Sequence, residues 1–241
     1  MRVDVTEKLI VALDFGTLDE ARKLIDRLEG SARTFKVGSR LFTSAGPDAV
    51  KLVKDKGAKV FLDLKFHDIP KTVAEACEAA AEIGVGMLTL HTFGGFDMME
   101  SAVKLMWSRE EAIRPLLLGV TVLTSLNEAA LQDIIGASER TIQEEVLLLA
   151  RLAQSAGLEG VVTSPHEIEA VKEQCGAEFV VVTPGVRPKG EDRGDQARVR
   201  TPGEAVAAGA DYIVVGRPII RAKDPRVAAL AILKEMEEAL R

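Results

Sequence analysis

Short apolar runs alternate along the chain with longer segments in which apolar residues recur every three or four positions. The runs are 8–14 (KLIVALD), 34–38 (TFKVG), 59–65 (KVFLDLK), 86–91 (GMLTLH), 116–123 (LLLGVTVL), 160–164 (GVVTS), 179–184 (FVVVTP) and 212–216 (YIVVG). They are rich in Val, Leu and Ile, as strands are when both faces of a sheet are covered. Between them lie helical patterns, among them 18–30, 70–84 and 144–157, each ending at a glycine that suits a helix C-terminus. The segment 127–145 predicts an extra helix beside the fifth strand.

Strands alternating with helices in this way predict parallel β–α units closed into a (β/α)8 TIM barrel, an α/β fold. The rival is an open doubly wound sheet. It would carry a Gly-x-Gly-x-x-Gly turn after its first strand, where this chain reads DFGTLDE. No linker, low-complexity segment or short repeat divides the chain, so residues 1–241 are expected to form a single barrel domain.

Composition narrows the partners. With 241 residues, 47% hydrophobic and 28% charged, the chain can bury a sizeable core. It has no run of about 18 uncharged apolar residues, so no membrane span is expected. Asp4 and Glu7 interrupt the stretch a signal peptide would need, and the expected location is cytoplasmic. A net charge of -6 and a pI near 5.3 argue against a broad basic face for nucleic acid. Local arginines can still hold a small anionic substrate. Cys77 and Cys175 form no CxxC pair and read as small core residues. His67, His91 and His166 are scattered without a zinc signature, so no metal site is expected.

In a parallel barrel the active site lies at the carboxyl ends of the strands. Polar residues gather there. Asp14 closes the first run, Lys36 lies inside the second, and Asp63 and Lys65 close the third. His91 and Thr124 mark the fourth and fifth, Pro184 and Arg187 follow the seventh, and Gly216 and Arg217 follow the eighth. A wet strand end accounts for any one of them. It accounts poorly for Lys36, enclosed by Thr34-Phe35 and Val37-Gly38, because a buried ammonium needs a carboxylate beside it. Asp63 and Lys65 are two apart on a strand, so their side chains should leave the same face. Asp68 stands in the turn before Pro70, where a helix should start; an acid also suits a helix N-terminus. Thr72 falls in that helix's first turn. Thr89, His91, Gly94 and Gly95 lie near the expected mouth without an assigned role.

Two loops read as phosphate sites. The segment 183–205 is long and polar and holds Arg187, Arg193, Arg198 and Arg200; 214–220 follows the eighth strand. Loops at these two places in such barrels often bind phosphate through backbone N–H groups, and arginine adds a matching planar fork. The length of the first loop suits a lid.

Together the stretches FLDLKFHDIPKTV, VALDF, FKVG, TVLTS, VVTPGVRP followed by DQARVRTP, and YIVVGRPI resemble the bacterial-type orotidine 5′-phosphate decarboxylase family, from about residue 8 to about 221. The D-x-K-x-x-D element is shared with sugar-phosphate decarboxylases and synthases of the same superfamily; the TPGxRP and DQxRVxTP stretches are more specific. The resemblance implies a homodimer that converts orotidine 5′-phosphate to UMP and CO2 with neither metal nor organic cofactor. It implies Lys65 as proton donor to C6 of the pyrimidine and Asp63 against the substrate carboxylate. Lys36 and Asp14 would contact the ribose and complete a charged chain. Asp68 and Thr72 would reach into the other subunit's site. Thr124 would touch the pyrimidine, Pro184 would also contact the substrate, and Arg187, Gln196, Gly216 and Arg217 would hold the phosphate. Two alternatives stay open at this level: a superfamily enzyme acting on a sugar phosphate, often with magnesium, and a nucleotide-binding barrel without catalysis.

Overall fold

All eight expected strands form. They are β1 (Leu9–Ala12), β2 (Thr34–Gly38), β3 (Lys59–Phe66), β4 (Met87–His91), β5 (Leu116–Val120), β6 (Gly160–Val162), β7 (Val180–Thr183) and β8 (Tyr212–Val215). In this computed structural model, which describes residues 5–136, 140–188 and 200–241, every neighbouring pair is parallel and β8 closes onto β1. The result is the (β/α)8 barrel.

The helices are α1 (Leu18–Arg27), α2 (Ser39–Ala45), α3 (Pro47–Asp55), α4 (Pro70–Glu82), α5 (Phe96–Trp107), α6 (Glu128–Ile135), α7 (Ile142–Ser155), α8 (Ile168–Cys175), α9 (Pro202–Ala207), α10 (Arg217–Ile220) and α11 (Pro225–Ala239). Their ends follow local chemistry. Thr141 and Thr201 open α7 and α9 with reciprocal capping boxes, each threonine hydroxyl accepting an N–H and each Glu reaching back. Gly30, Gly84 and Gly157, beyond α1, α4 and α7, adopt φ of 77°, 81° and 88°, the left-handed turn that a side chain would strain. The extra helix expected within 127–145 is α6, capped by the Asn127 side chain.

Strand alternation builds two apolar layers. Ile10, Ala12, Phe61, Met87, Leu118, Val182 and Val214 fill the barrel interior. Their chain neighbours Leu9, Val11, Leu62, Leu88, Leu117, Val181 and Val215 face outward into the layer beneath the helices. Burying one such large aliphatic or aromatic side chain stabilises by about 1.5–3 kcal/mol, so both layers help hold the sheet and helices together. Cys77 and Cys175 are free and buried in the outer layer, and burial pushes the Cys77 thiol up to about 12. Among the described residues no helix is long and apolar enough to cross a membrane.

Two features of the sheet shape what sits on it. The β3–β4 register runs Leu62↔Leu88 and then Phe66↔Leu90, so β3 carries extra residues across Asp63–Lys65 and bulges there. The loop after β7 is pinched at its base, where the Arg187 N–H donates to the Arg200 carbonyl at 3.0 Å.

Candidate active site

The strand ends place four charges in a row. Asp14, one residue past Leu13 at the end of the β1 run, lies with Oδ1 3.3 Å from Lys36 Nζ. Lys36 Nζ lies 3.5 Å from Asp63 Oδ2, and Asp63 Oδ1 takes Lys65 Nζ at 2.8 Å. Lys36 is the inward residue of a half-buried position in β2, so its ammonium can leave the sheet only toward the barrel mouth. Gly38, two residues on, makes room: a Cβ there would stand 2.9 Å from Lys36 Nζ. Any side chain at 38 would require the Lys36 ammonium to shift.

Burial pushes the Asp63 carboxyl up, but the charges of Lys36 and Lys65, with hydrogen bonds from Lys65 and Thr89, outweigh that push and hold it below the usual carboxylate range. Asp63 is therefore ionised at neutral pH, and it gives each neighbouring ammonium a separate oxygen.

Lys65 reaches this place through an unusual backbone. Its φ is 53°, the left-handed region, at a cost of about 1–2 kcal/mol for a residue with a side chain. The bulge and this turn bring Lys65 back onto the face of Asp63. Plain strand alternation predicts the same shared face, but the pair meets through an irregularity instead. Thr89 in β4 spans the gap in the ladder. Its hydroxyl accepts the Lys65 N–H at 2.9 Å and donates to Asp63 Oδ1 at 3.1 Å.

These charges line one cavity of about 280 Å³. Asp14, Lys36, Asp63 and Lys65 come from the ends of β1 to β3. Thr124 stands in the loop after β5, Pro184 and Arg187 after β7, and Gly216 and Arg217 after β8. Arg187 is buried, with its guanidinium donating to the Val186 carbonyl at 2.8 Å. Gly216 caps α10 and sits against Asp14, where a Cβ would come 3.4 Å from Asp14 Oδ2. Apolar walls of Ala12, Phe61, Val162 and Val214 form the cavity floor. A mostly apolar cleft with a few convergent polar groups is what a small-molecule site needs.

Not every expected residue joins this cavity. Asp68 and Thr72 are exposed on the rim. The Asp68 carboxylate accepts the Ile69 N–H at 2.6 Å, and α4 begins at Pro70 as expected. Arg200 turns away to Glu169, 3.3 Å distant. Gln196, Arg193 and Arg198 lie outside the described residues. His91 stacks on His67 and lies tilted against Phe93, each with ring centroids 5.5 Å away. Burial lowers the His91 pKa to about 4, helped by the charges of His67 and Lys65. Among the described residues no group of three or more His, Cys, Asp or Glu side chains could hold a metal ion.

The sequence places Thr89 near the mouth but gives it no role, and it gives no sign of Gly38. Both are small residues inside strand runs, and their partners come from other strands or stand two residues away. No local signal distinguishes them from ordinary packing positions.

Comparison with known proteins finds relatives across nearly the whole chain. The model of the orotidine 5′-phosphate decarboxylase / HUMPS family matches residues 7–232. A Moorella thermoacetica protein named orotidine 5′-phosphate decarboxylase is 52% identical over 242 residues, covering 98% of this chain and 95% of its own length. One of the same name from Syntrophotalea carbinolica is 48% identical over 243 residues, covering 100% and 99%. The crystal structure of orotidine 5′-phosphate decarboxylase from Lactobacillus acidophilus superposes with a TM-score of 0.83 at 38% identity, covering 95% of this chain and 99% of its own. With a parallel barrel, a charged row on β1 to β3 and a family match of this extent, the chain belongs to the orotidine 5′-phosphate decarboxylase / HUMPS family.

Proposed function

We propose that this chain, as a single barrel domain, decarboxylates orotidine 5′-phosphate to UMP and CO2 in pyrimidine biosynthesis, without metal or organic cofactor. The observation that carries the reading is the unbroken row Asp14, Lys36, Asp63, Lys65, which places an ammonium in the same cavity as Arg187 and Arg217.

The chemistry needs that ammonium. Breaking the bond from C6 to the carboxylate leaves an electron pair in the ring plane, where the ring delocalises it poorly. Lys65 meets that charge and gives C6 its proton, then regains one from water. A fixed charge aimed at a developing one is usually the largest single catalytic effect. Asp63 and Lys36 hold Lys65 in place and Asp14 extends the row toward the ribose. Thr124 and Pro184 border the pyrimidine. Arg187, Gly216, Arg217 and Gln196 take the phosphate, whose distant binding energy reaches C6 through closure of the loop after β7.

The assembly we propose is a cytoplasmic homodimer in which Asp68 and Thr72 enter the partner's site. Asp68 does not reach its own Lys65 network, and it stands beside Ile69, which is 66% exposed. Phe96 and Leu123, which follow β4 and β5, are also exposed apolar side chains at this end of the barrel. Exposed apolar side chains at the mouth end of a barrel suit a subunit contact.

The test is to follow the absorbance of orotidine 5′-phosphate with enzyme in excess EDTA. Steady loss of the substrate signal is expected. A rate that requires restored magnesium would favour a sugar-phosphate enzyme of the superfamily, and binding with no turnover would favour a nucleotide-binding barrel.

A further inference from the structure

Thr89 is fully buried in the middle of β4, and its single hydroxyl is used twice. A hydroxyl has one proton, so its polarity is fixed: the proton points at Asp63 Oδ1, 3.1 Å away, and a lone pair receives the Lys65 N–H at 2.9 Å. Oδ1 also holds Lys65 Nζ at 2.8 Å, while Oδ2 faces Lys36 at 3.5 Å. Both ammonium partners ride on long, flexible stems. Thr89 is the short, β-branched anchor that fixes the plane of the carboxylate between them. On the backbone side, the register between Leu62↔Leu88 and Phe66↔Leu90 leaves the bulge without regular ladder partners, and the threonine oxygen supplies an acceptor there.

We propose that Thr89 is a positioning residue for the Asp63–Lys65 pair: its hydroxyl clamps the Lys65 main chain in its left-handed turn and sets the Asp63 carboxylate, so that the ammonium is aimed while it stays paired. The inference rests on the reading of Lys65 as the group that meets the reacting carbon. Removing the hydroxyl leaves a part-buried N–H without its acceptor and frees the carboxylate to turn. The hydrogen bond from Thr89 is also among the interactions that oppose the upward push of burial on Asp63. The phosphate contacts come from the loops after β7 and β8 and do not run through β4, so ground-state binding should be spared.

The experiment compares Thr89→Val, close in shape but without the hydroxyl, with Thr89→Ser, which keeps it. Decarboxylation of orotidine 5′-phosphate is measured across pH, and the Asp63 carboxyl is titrated by carbon NMR in the same full-length proteins. A small misplacement of a reacting group can cost on the order of a hundredfold, so kcat of the valine variant should fall by about 10- to 100-fold. Its KM should stay within about threefold, because the lost interaction serves the transition state rather than binding. The acid limb of its rate profile and the Asp63 titration should both move to higher pH, and serine should restore all three.

A merely structural threonine would lower the melting temperature and leave kcat of the folded enzyme and both titrations where they were; that result overturns the proposal, as does a serine variant no better than valine. Should Thr89→Val not fold, Thr89→Ala carries the same measurements. If the wild-type chain leaves orotidine 5′-phosphate unchanged, the functional reading fails by itself. The Asp63 titration then decides the clamp: a shift in the valine variant supports it and an unmoved titration sinks it.

Discussion

Lys36 Nζ and Asp63 Oδ2 lie 3.5 Å apart with only 13% and 12% of their side chains exposed, so each charge depends on the other in place of water. The interaction joins two strand ends, β2 and β3, and continues to Asp14 on one side and Lys65 on the other. Neither inner residue can be removed without leaving its neighbour buried and short of a counter-charge.

Replacing Lys36 by Ala should therefore act twice. Asp63 keeps only Lys65, so folding stability should drop by about 2–3 kcal/mol, less than the loss of a sole partner in a buried pair. The remaining Asp63 carboxyl should titrate closer to its ordinary value, which moves the acid limb of activity to higher pH. The row would also lose its link to Asp14, and kcat should fall by at least about a hundredfold. Denaturant unfolding and the pH profile of kcat check the two effects separately. A variant with wild-type stability and an unmoved acid limb would contradict the pairing.

Lys65→Ala removes the proposed proton donor while leaving Arg187, Gly216 and Arg217 in place. Turnover should fall by about 10⁴-fold or more, because both the charge and the proton are lost. UMP binding, measured by calorimetry, should remain and should depend on the phosphate. Turnover within tenfold of wild type would rule out the assigned role.

How much of this was legible before the structure varies by residue. The strands could be read because, covered on both faces, they are nearly unbroken apolar runs, and Gly30, Gly84 and Gly157 marked helix ends through their positive φ. Asp14, Lys36, Asp63 and Lys65 stood out as charges at the mouths of such runs. The bulge at Lys65 was not legible, since it is set by how β3 pairs with β4, and pairing is not a local property. The role of Thr89, placed near the mouth, was not legible for the same reason: its two partners lie 24 and 26 positions away. Arg200 had the composition of a phosphate ligand, yet its geometry serves Glu169 on α8. Asp68 has no place in its own chain's charge row: its carboxylate accepts the Ile69 N–H instead.

The cross-subunit role of Asp68 can be tested by complementation. A Lys65→Ala chain and an Asp68→Ala chain are each expected to be nearly inactive as homodimers. In a mixed dimer, the site holding Lys65 receives Asp68 of the partner subunit and is whole, while the other site lacks both. Random exchange of equal amounts makes half the dimers mixed, each with one intact site of two, so activity should recover to about a quarter of wild type. Exchange is verified with differently tagged chains. No recovery despite proven exchange would place Asp68 in its own chain's chemistry or outside the chemistry altogether.

The His91 ring makes a separate prediction about stability. Its folded pKa, about 4, lies below the ordinary 6.5, chiefly because burial disfavours the charged imidazolium. Between those values the unfolded chain binds a proton that the folded chain does not. Stability attributable to this group therefore falls as pH drops from about 6.5 to about 4 and flattens below that. The ring is only half-buried, so the full shift is discounted for screening and the loss should reach about 1–2 kcal/mol. His91→Phe preserves a ring in contact with His67 and Phe93 without a titrating group. The difference in unfolding free energy between this variant and wild type should grow by that amount, in favour of the variant, from pH 7 to pH 4.5. Urea unfolding at the two pH values measures it, and because both proteins share every carboxylate, their common acid sensitivity cancels. A constant difference would mean that His91 takes up its proton in the folded barrel as readily as in the unfolded chain.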